Sequence, residues 1–471
     1  MRFFCPSACA GLIFPVNFTP VGTILSHPVM LLVYCSHITN RTRYALGLVL
    51  ETLLGLEWRA TSLEEEFRQY GGPRIQYAGK PLDAGGVFVL ASGILSERAV
   101  RSFQPGVTWK DGLPLLFPSP ESACGIGFDV FSAAFYLVSR YEEYLPFRKD
   151  RFGRFEALES FSFRHGFLHI PVVDRYALLL ARALKREFPR LDFPDRSFRQ
   201  IPTIDVDVAY AYRGRGLVRT AYGTMGSLLR GDLSAVRRRF QVLAGKARDP
   251  YDTYDLQLRL HRRYGLKPHY FFLCGDYGPY DRNISFFSAT FQNLVKKISD
   301  YAVTGLHPSF EASDHPEGLE TEVRRLSRLL NREVRFSRHH FLRISLPGSY
   351  RELIRLNIGH DFSMGYASRP GFRAGTCTPF HFYDLGEESI TSLKVYPVSI
   401  MDGTLRDYMG LSPDQAIQQI GSLMKGVRDV GGTWISLWHN DSLSDEGRWA
   451  GWLRVYESML ELGETIKRES P

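Results

Sequence analysis

From Tyr251 onward the sequence alternates short apolar runs with amphipathic helical patterns, and no other feature limits the fold as strongly. DTYDLQLRLHRRYG reads as a helix before the strand KPHYFFLCG, FFSATFQNLVKKISD before AVTGLHPS, LETEVRRLSRLLN before VRFSRHHFL, and SYRELIRLN before HDFSMGYA. The strand SLKVYPVSI, the helix PDQAIQQIGSLMKGVRDVG and the strand TWISLWHND complete the series. Strands separated by helices predict a parallel sheet or barrel, with its functional groups at the carboxyl ends of the strands.

Upstream of that series, IPTIDVDVAY (Ile201 to Tyr210) places two carboxylates in an otherwise apolar run. On a strand, residues two apart point to the same side, so Asp205 and Asp207 project together while Ile204, Val206 and Val208 pack opposite. Two acids on one face repel each other unless a metal, a shared proton or an arginine offsets the charge. A turn or helix cap containing two aspartates is the plainer explanation of the decapeptide alone. Later strands, however, end in ionisable groups too: His307, Arg338 with His340, Asp361 and His439. A core built only for stability has no need of them there.

The chain of 471 residues, 44% hydrophobic, is long enough for two or three domains. Residues 30–190 read as a smaller α/β domain, the proline-punctuated stretch Pro189 to Arg199 as a boundary, and residues 200–465 as the repetitive α/β part. Within the first domain, FDVFSAAFYLVSRYEEYLPF reads as a packed helix with Arg140, Glu142 and Glu143 toward its wet edge, and Pro146 to His169 as an exposed crossing. Residues 1–29 read as an N-terminal extension ahead of Met30. Their weak likeness to a secretory signal is broken by Pro6 and Pro15. The six scattered cysteines form no zinc or disulfide pattern, and no apolar run is long enough to span a bilayer, which suggests a cytoplasmic protein, with the periplasm or envelope as the alternative. The net charge of +8 permits an anionic partner. The basic stretch Arg213 to Arg248 has too few interleaved aromatics for a nucleic-acid groove and reads as exposed faces of an inserted helical segment.

At these residues the chain resembles the polysaccharide deacetylases with a NodB-type fold, carbohydrate esterase family 4 and its divergent bacterial relatives, over about residues 200 to 465. TIDVD resembles the first family motif, GLHPS the second, SRHHF the third, GHDFSMGY the fourth and ISLWHND the fifth. The resemblance implies an α/β fold with a C-terminal distorted (β/α) barrel, preceded here by a smaller α/β domain similar to one found ahead of such deacetylases in some bacteria. It also implies Asp205 as general base, Asp207 and His307 as metal ligands, Arg338 as the group orienting the base, and His439 as the acid, oriented by Asp361. Where the family's second motif carries a further histidine this chain has Glu311, so the third ligand is open between Glu311, His340 and a solvent molecule held by Ser309. His340, Arg373 and Trp438 stand as substrate contacts, with Tyr366 another aromatic candidate. The implied cofactor is a divalent ion, zinc foremost, and the implied substrate an N-acetylated glycan, with neither nucleic acid nor an integral membrane segment involved. A glycoside hydrolase and a non-catalytic glycan-binding scaffold are the rival readings.

Overall fold

The computed structural model describes residues 30–120 and 125–469. The extension at residues 1–29, with Cys5 and Cys9, and also Cys124, lies outside the described residues. Cys35, Cys274 and Cys377 are buried free thiols. Among the described residues no helix is long and apolar enough to cross a membrane.

The N-terminal part is built on a parallel sheet of β1 (Leu31–Cys35), β2 (Trp58–Thr61), β3 (Arg74–Ala78) and β4 (Val87–Leu90) in the order β2-β1-β3-β4. All five residues of β1 are buried, which is why LLVYC is uninterrupted by polar groups. The hairpin β5 (Val107–Lys110) and β6 (Leu113–Leu116) turns at Asp111 and Gly112, both at positive φ (50° and 72°), the conformation for which Asp-Gly is suited. The helix Val130–Val138 starts where Asp129 accepts the Ser132 N–H, and all of its residues are buried.

Arg140, Glu142 and Glu143, expected at a wet edge, are instead buried. The cause is Arg373, which arrives from the C-terminal part and donates from Nε and Nη2 to Glu143 at 2.9 and 2.6 Å. Arg140 donates to Glu143 at 2.7 Å, to Glu142 at 2.9 Å and to the Tyr366 hydroxyl at 3.0 Å. The crossing Pro146 to His169 is also partly buried: Phe155 and Phe161 are core residues, and Arg154 donates to the Phe341 carbonyl at 2.8 Å. The two parts of the chain thus share a charged but buried interface.

The larger sheet contains β7 (Arg199–Val206), β8 (His269–Leu273), β9 (Val303–His307), β10 (Phe336–Ser337), β11 (His360–Asp361), β12 (Phe380–Asp384), β13 (Ser389–Val395), β14 (Ile400–Met401) and β15 (Thr433–His439). Their order is β12-β13-β11-β10-β9-β8-β7-β15-β14, parallel throughout except for β12 on β13. The helices Tyr254–Arg263, Ala289–Ser299, Pro316–Leu330, Gly348–Arg355 and Pro413–Arg428 lie between strands where the sequence rhythm predicts them. The strands expected over VRFSRHHFL and HDFSMGYA are each confined to two residues, SLKVYPVSI is divided between β13 and β14, and the antiparallel β12 has no counterpart in that rhythm.

The sheet cannot be flat. Eight strands from β13 to β14 laid side by side would span roughly 34 Å at about 4.8 Å per neighbour. The chain from Val395 to Ile400 reaches at most about 18 Å. Along that connection Tyr396 and Val398 donate to the carbonyls of Asp361 and Met364, and Ser399 donates to that of Ile435 on β15. The connection therefore pulls the two sides of a curled sheet toward each other.

Candidate metal centre and its acid-base groups

Strand register brings Asp205, His307, Arg338 and His439 to one end of the sheet. Pairing of β7 with β15 sets His439 opposite Asp205. Pairing of β8 with β9 sets His307 opposite Leu273, and β10 follows β9 so that Arg338 donates its N–H to the Leu306 carbonyl. Asp207 lies one residue past the end of β7, on the same side as Asp205. His307 Nε2 is 3.7 Å from Asp205 Oδ2 and 3.1 Å from Asp207 Oδ1.

Asp207, His307 and His340 converge so that one donor atom from each lies within 4.8 Å of the others. The His307 Nδ1 donates to the Arg338 carbonyl, which leaves its Nε2 lone pair facing the Asp207 carboxylate. That Nε2 and Asp207 Oδ1 are buried and lack hydrogen-bond partners among the described residues. Two acceptors so close call for a cation between them. The His340 Nδ1 is held by Asp281 Oδ1 at 2.8 Å, which turns its Nε2 toward Asp207 Oδ2 at 3.3 Å. A carboxylate behind a ligating imidazole is the usual support of a metal-binding histidine. One carboxylate and two imidazoles also form the donor set of catalytic zinc sites that keep a position open for water. The residues present fit a divalent ion.

The electrostatics agree. Burial would raise the Asp207 pKa, but the charges of His340 and His439 and the contact with His340 Nε2 hold it well below the ordinary carboxylate range. Burial would lower His340, but Asp207 and Asp281 outweigh it and carry the imidazole up to about 9. A cation must therefore displace a proton from His340 to bind.

Asp205 is held differently. Its Oδ1 accepts from Arg338 Nη1 at 2.9 Å, and the same nitrogen donates to Thr203 Oγ1 at 2.6 Å. Arg338 Nε donates to the Phe362 carbonyl at 2.9 Å, and the guanidinium lies 4.7 Å from the Phe271 ring centre. The arginine is fully buried and held through Nε and Nη1, and Asp205 Oδ2 faces the cluster. Burial lowers the guanidinium pKa and the Asp205 charge works against that fall.

Asp402, not Asp361, orients His439. Asp402 Oδ1 binds His439 Nδ1 at 2.8 Å and Oδ2 accepts the His439 backbone N–H at 2.8 Å. Burial would lower the His439 pKa, but the Asp402 and Asp207 carboxylates raise it well above its ordinary value. Asp361 is fully buried elsewhere: it accepts from the Ser363 backbone at 2.9 Å, the Ser363 hydroxyl at 2.8 Å and the Ser337 hydroxyl at 3.1 Å. Its partners are short polar residues on β10 and just after β11, so it fixes their loops. Asp402 directly follows β14, and the rule about strand ends applies to it once that two-residue strand is recognised.

The expected substrate contacts are also corrected. His340 belongs with the cluster. Arg373 is consumed by Glu143, and Tyr366 is buried beside Arg140. Trp438 is fully buried, its ring 4.9 Å from that of Tyr456 and 6.4 Å from that of Trp452, because it alternates to the opposite face of β15 from its neighbours in the site. Of the other candidates for third ligand, Glu311 is exposed and only its backbone N–H reaches Asp281, at 3.4 Å. The Ser309 hydroxyl is engaged by Glu322 at 2.5 Å. The aromatics that do surround His340 are Phe341, with ring centres 4.5 Å apart, and beyond it Phe310, Tyr280 and Phe152. Phe152 comes from the N-terminal part. Asp281, Phe310, Tyr280 and Phe152 sit in loops, outside any periodic pattern.

No curated protein matched the sequence. Among solved structures the chain is similar to a Mycobacterium smegmatis protein assigned as a polysaccharide deacetylase, at 13% identity over 59% of this chain and 93% of that one, with a TM-score of 0.38. It is similar to a probable polysaccharide deacetylase from Pseudomonas aeruginosa PAO1 at 11% identity over 60% of this chain and 97% of that one, with a TM-score of 0.34. A CE4 family pseudoenzyme from Bacillus anthracis is similar at 12% identity over 55% of this chain and 61% of that one, with a TM-score of 0.29. The N-terminal part, residues 31–189, matches the family model described as a family of unknown function (DUF7033).

Proposed function

We propose that this chain is a metal-dependent hydrolase that removes an N-acyl group, N-acetyl foremost, from an amino sugar in a polysaccharide or glycoconjugate. The observation that carries this reading is the convergence of an Asp-His-His donor set with two separately held proton-transfer groups, Asp205 on Arg338 and His439 on Asp402. Asp207, His307 and His340 would hold the ion, and a set rich in imidazole nitrogen favours zinc. When bound, such an ion supplies Lewis acidity, lowering the pKa of water and polarising the acyl carbonyl.

The protein's own groups supply the rest. Asp205, its Oδ1 kept on Arg338, takes one proton from the attacking water at Oδ2 as the new C–O bond forms. His439, charged at neutral pH because of Asp402, gives the proton on Nε2 to the leaving nitrogen as the C–N bond breaks. The products are a carboxylate and a free amine. Phe341, Phe310 and Phe152 offer apolar faces on which a sugar ring can stack. We read the curled sheet as a distorted (β/α) barrel of the NodB type, supported by the short crossing from β13 to β14.

The absence of a second histidine from GLHPS favours a non-catalytic scaffold, and the position of His340 beside Asp207 and His307 supports the hydrolase reading instead. Incubating the zinc-reconstituted protein with a panel of N-acetylated oligosaccharides tests the proposal. Acetate release matched by new free amine supports it. New reducing ends would mean a glycosidase, and neither product at full metal occupancy would mean a binding protein.

A further inference from the structure

The excess charge of this chain is concentrated in one exposed element. Between Arg213 and Arg248 there are nine arginines and lysines against a single acid, Asp232, an excess of eight that equals the formal net charge of +8. The remainder of the chain is balanced. This stretch forms the helices Gly216–Leu229 and Leu233–Leu243, which pack on each other as a hairpin inserted between β7 and the helix Tyr254–Arg263.

The hairpin leaves its apolar side chains in water. Val218, Tyr222, Met225 and Leu229 recur at alternating spacings of four and three, a single stripe along the first helix, and each is more than half exposed, Leu229 by 82%. Leu233, Phe240 and Leu243 are likewise exposed on the second helix. Scattered exposed apolar residues need no explanation, but contiguous stripes mark a surface that meets something. Arg230, Arg237 and Lys246 are exposed beside them.

The base of the hairpin is rigid. The buried Asp249 carboxylate accepts the backbone N–H of Ala211 and Tyr212 at 2.8 Å each and that of Arg213 at 3.1 Å, fixing the hairpin to the end of β7 that carries Asp205 and Asp207. Arg238 pairs with Glu446 at 2.6 Å, in the segment that follows His439. The hairpin therefore stands at the same end of the sheet as the metal centre.

We propose that this hairpin is an interfacial anchor that docks the protein on a bilayer surface rich in anionic lipid. The stripes enter the boundary between headgroups and acyl chains, and the basic side chains pair with lipid phosphates. The occupant follows from the two features together. A soluble polyanion would match the charge and leave the stripes in water, and a second copy would cover the stripes but bring two strongly positive surfaces together. Docking does not depend on the hydrolase reading. Where both hold, it presents the site to glycans at the membrane surface.

Flotation of the full chain with vesicles of phosphatidylcholine, with and without phosphatidylglycerol, tests the proposal. The protein is expected to float with the anionic vesicles only, and to be released by high salt. Each basic side chain near the surface contributes roughly fivefold to binding, so Arg230→Glu/Arg237→Glu/Lys246→Glu should weaken it on the order of a hundredfold. Tyr222→Ser/Leu229→Ser should bind weakly at an unchanged melting temperature, since both side chains are exposed. Failure of the wild type to float, equal binding to both vesicle types, or unimpaired binding by the serine variant would overturn the proposal. So would a dimer in light scattering that the serine variant converts to monomer.

Discussion

Asp402 grips His439 twice, through Nδ1 and through the backbone N–H, both at 2.8 Å. A carboxylate bound in this way fixes the ring's orientation and favours its charged form. Asp402→Asn keeps the shape but loses the charge. The expected result is a kcat lower by about tenfold to a hundredfold with metal content unchanged, and the alkaline limb of the pH profile, where His439 loses its proton, moved to lower pH. Asp361→Asn is expected to lower the melting temperature through its serine partners and to leave that profile in place. If Asp361→Asn alone moved the profile, the assignment of Asp402 would fail.

The third ligand gives a second test. His340→Ala should abolish tight metal binding, and Asp281→Asn should weaken it by about tenfold to a hundredfold because the imidazole behind it loses its support. Glu311→Ala should change nothing. Because His340 is protonated up to about 9 without metal, loading releases a proton and should tighten as pH rises toward that value. Chelator competition at several pH values measures all of this, and a pH-independent affinity would count against His340.

Glu322 offers a stability test away from the chemistry. Burial raises its pKa to about 7, against the lowering effect of its hydrogen bonds from Ser309. A folded-state pKa above the unfolded value means stability present at low pH and lost as pH rises through 7. Glu322→Gln does not titrate. Its destabilisation relative to wild type should therefore be greater at pH 5 than at pH 8, by on the order of 3 kcal/mol. A constant gap in denaturant unfolding would contradict this.

The Arg373-Glu143 pair joins the two parts of the chain with both side chains almost fully buried. Arg373→Ala removes one of the two guanidinium partners of Glu143, leaving Arg140, and should cost about 2–3 kcal/mol. The wild type should unfold in one calorimetric transition, whereas two well-separated transitions would show that the interface couples little.

What the sequence reveals depends on where each group sits. Asp205, Asp207, His307 and His439 are legible because each ends or directly follows a strand whose apolar run announces it, whereas Arg338, behind the two-residue β10, is legible through the resemblance of SRHHF to a family motif. His340 is visible as a residue but not in its job, because the chain turns through positive φ at Phe341 immediately after it. Asp281 lies in a loop and Asp402 behind a two-residue strand, so neither has a periodic signal. Arg140, Glu142 and Glu143 look like surface residues because the partner that buries them, Arg373, lies 230 residues from Glu143. Local pattern locates the ends of strands; it does not locate distant counter-charges.

In the proposed mechanism Asp205 moves a proton beside an ion it does not hold. The most direct measurement is acetate release from an N-acetylated oligosaccharide by wild type and Asp205→Asn, each with its zinc content determined. The expected result is equal zinc and a rate lower by about a hundredfold to ten-thousandfold in the variant. Undiminished acetate release by the variant, or loss of zinc in step with activity, would contradict it.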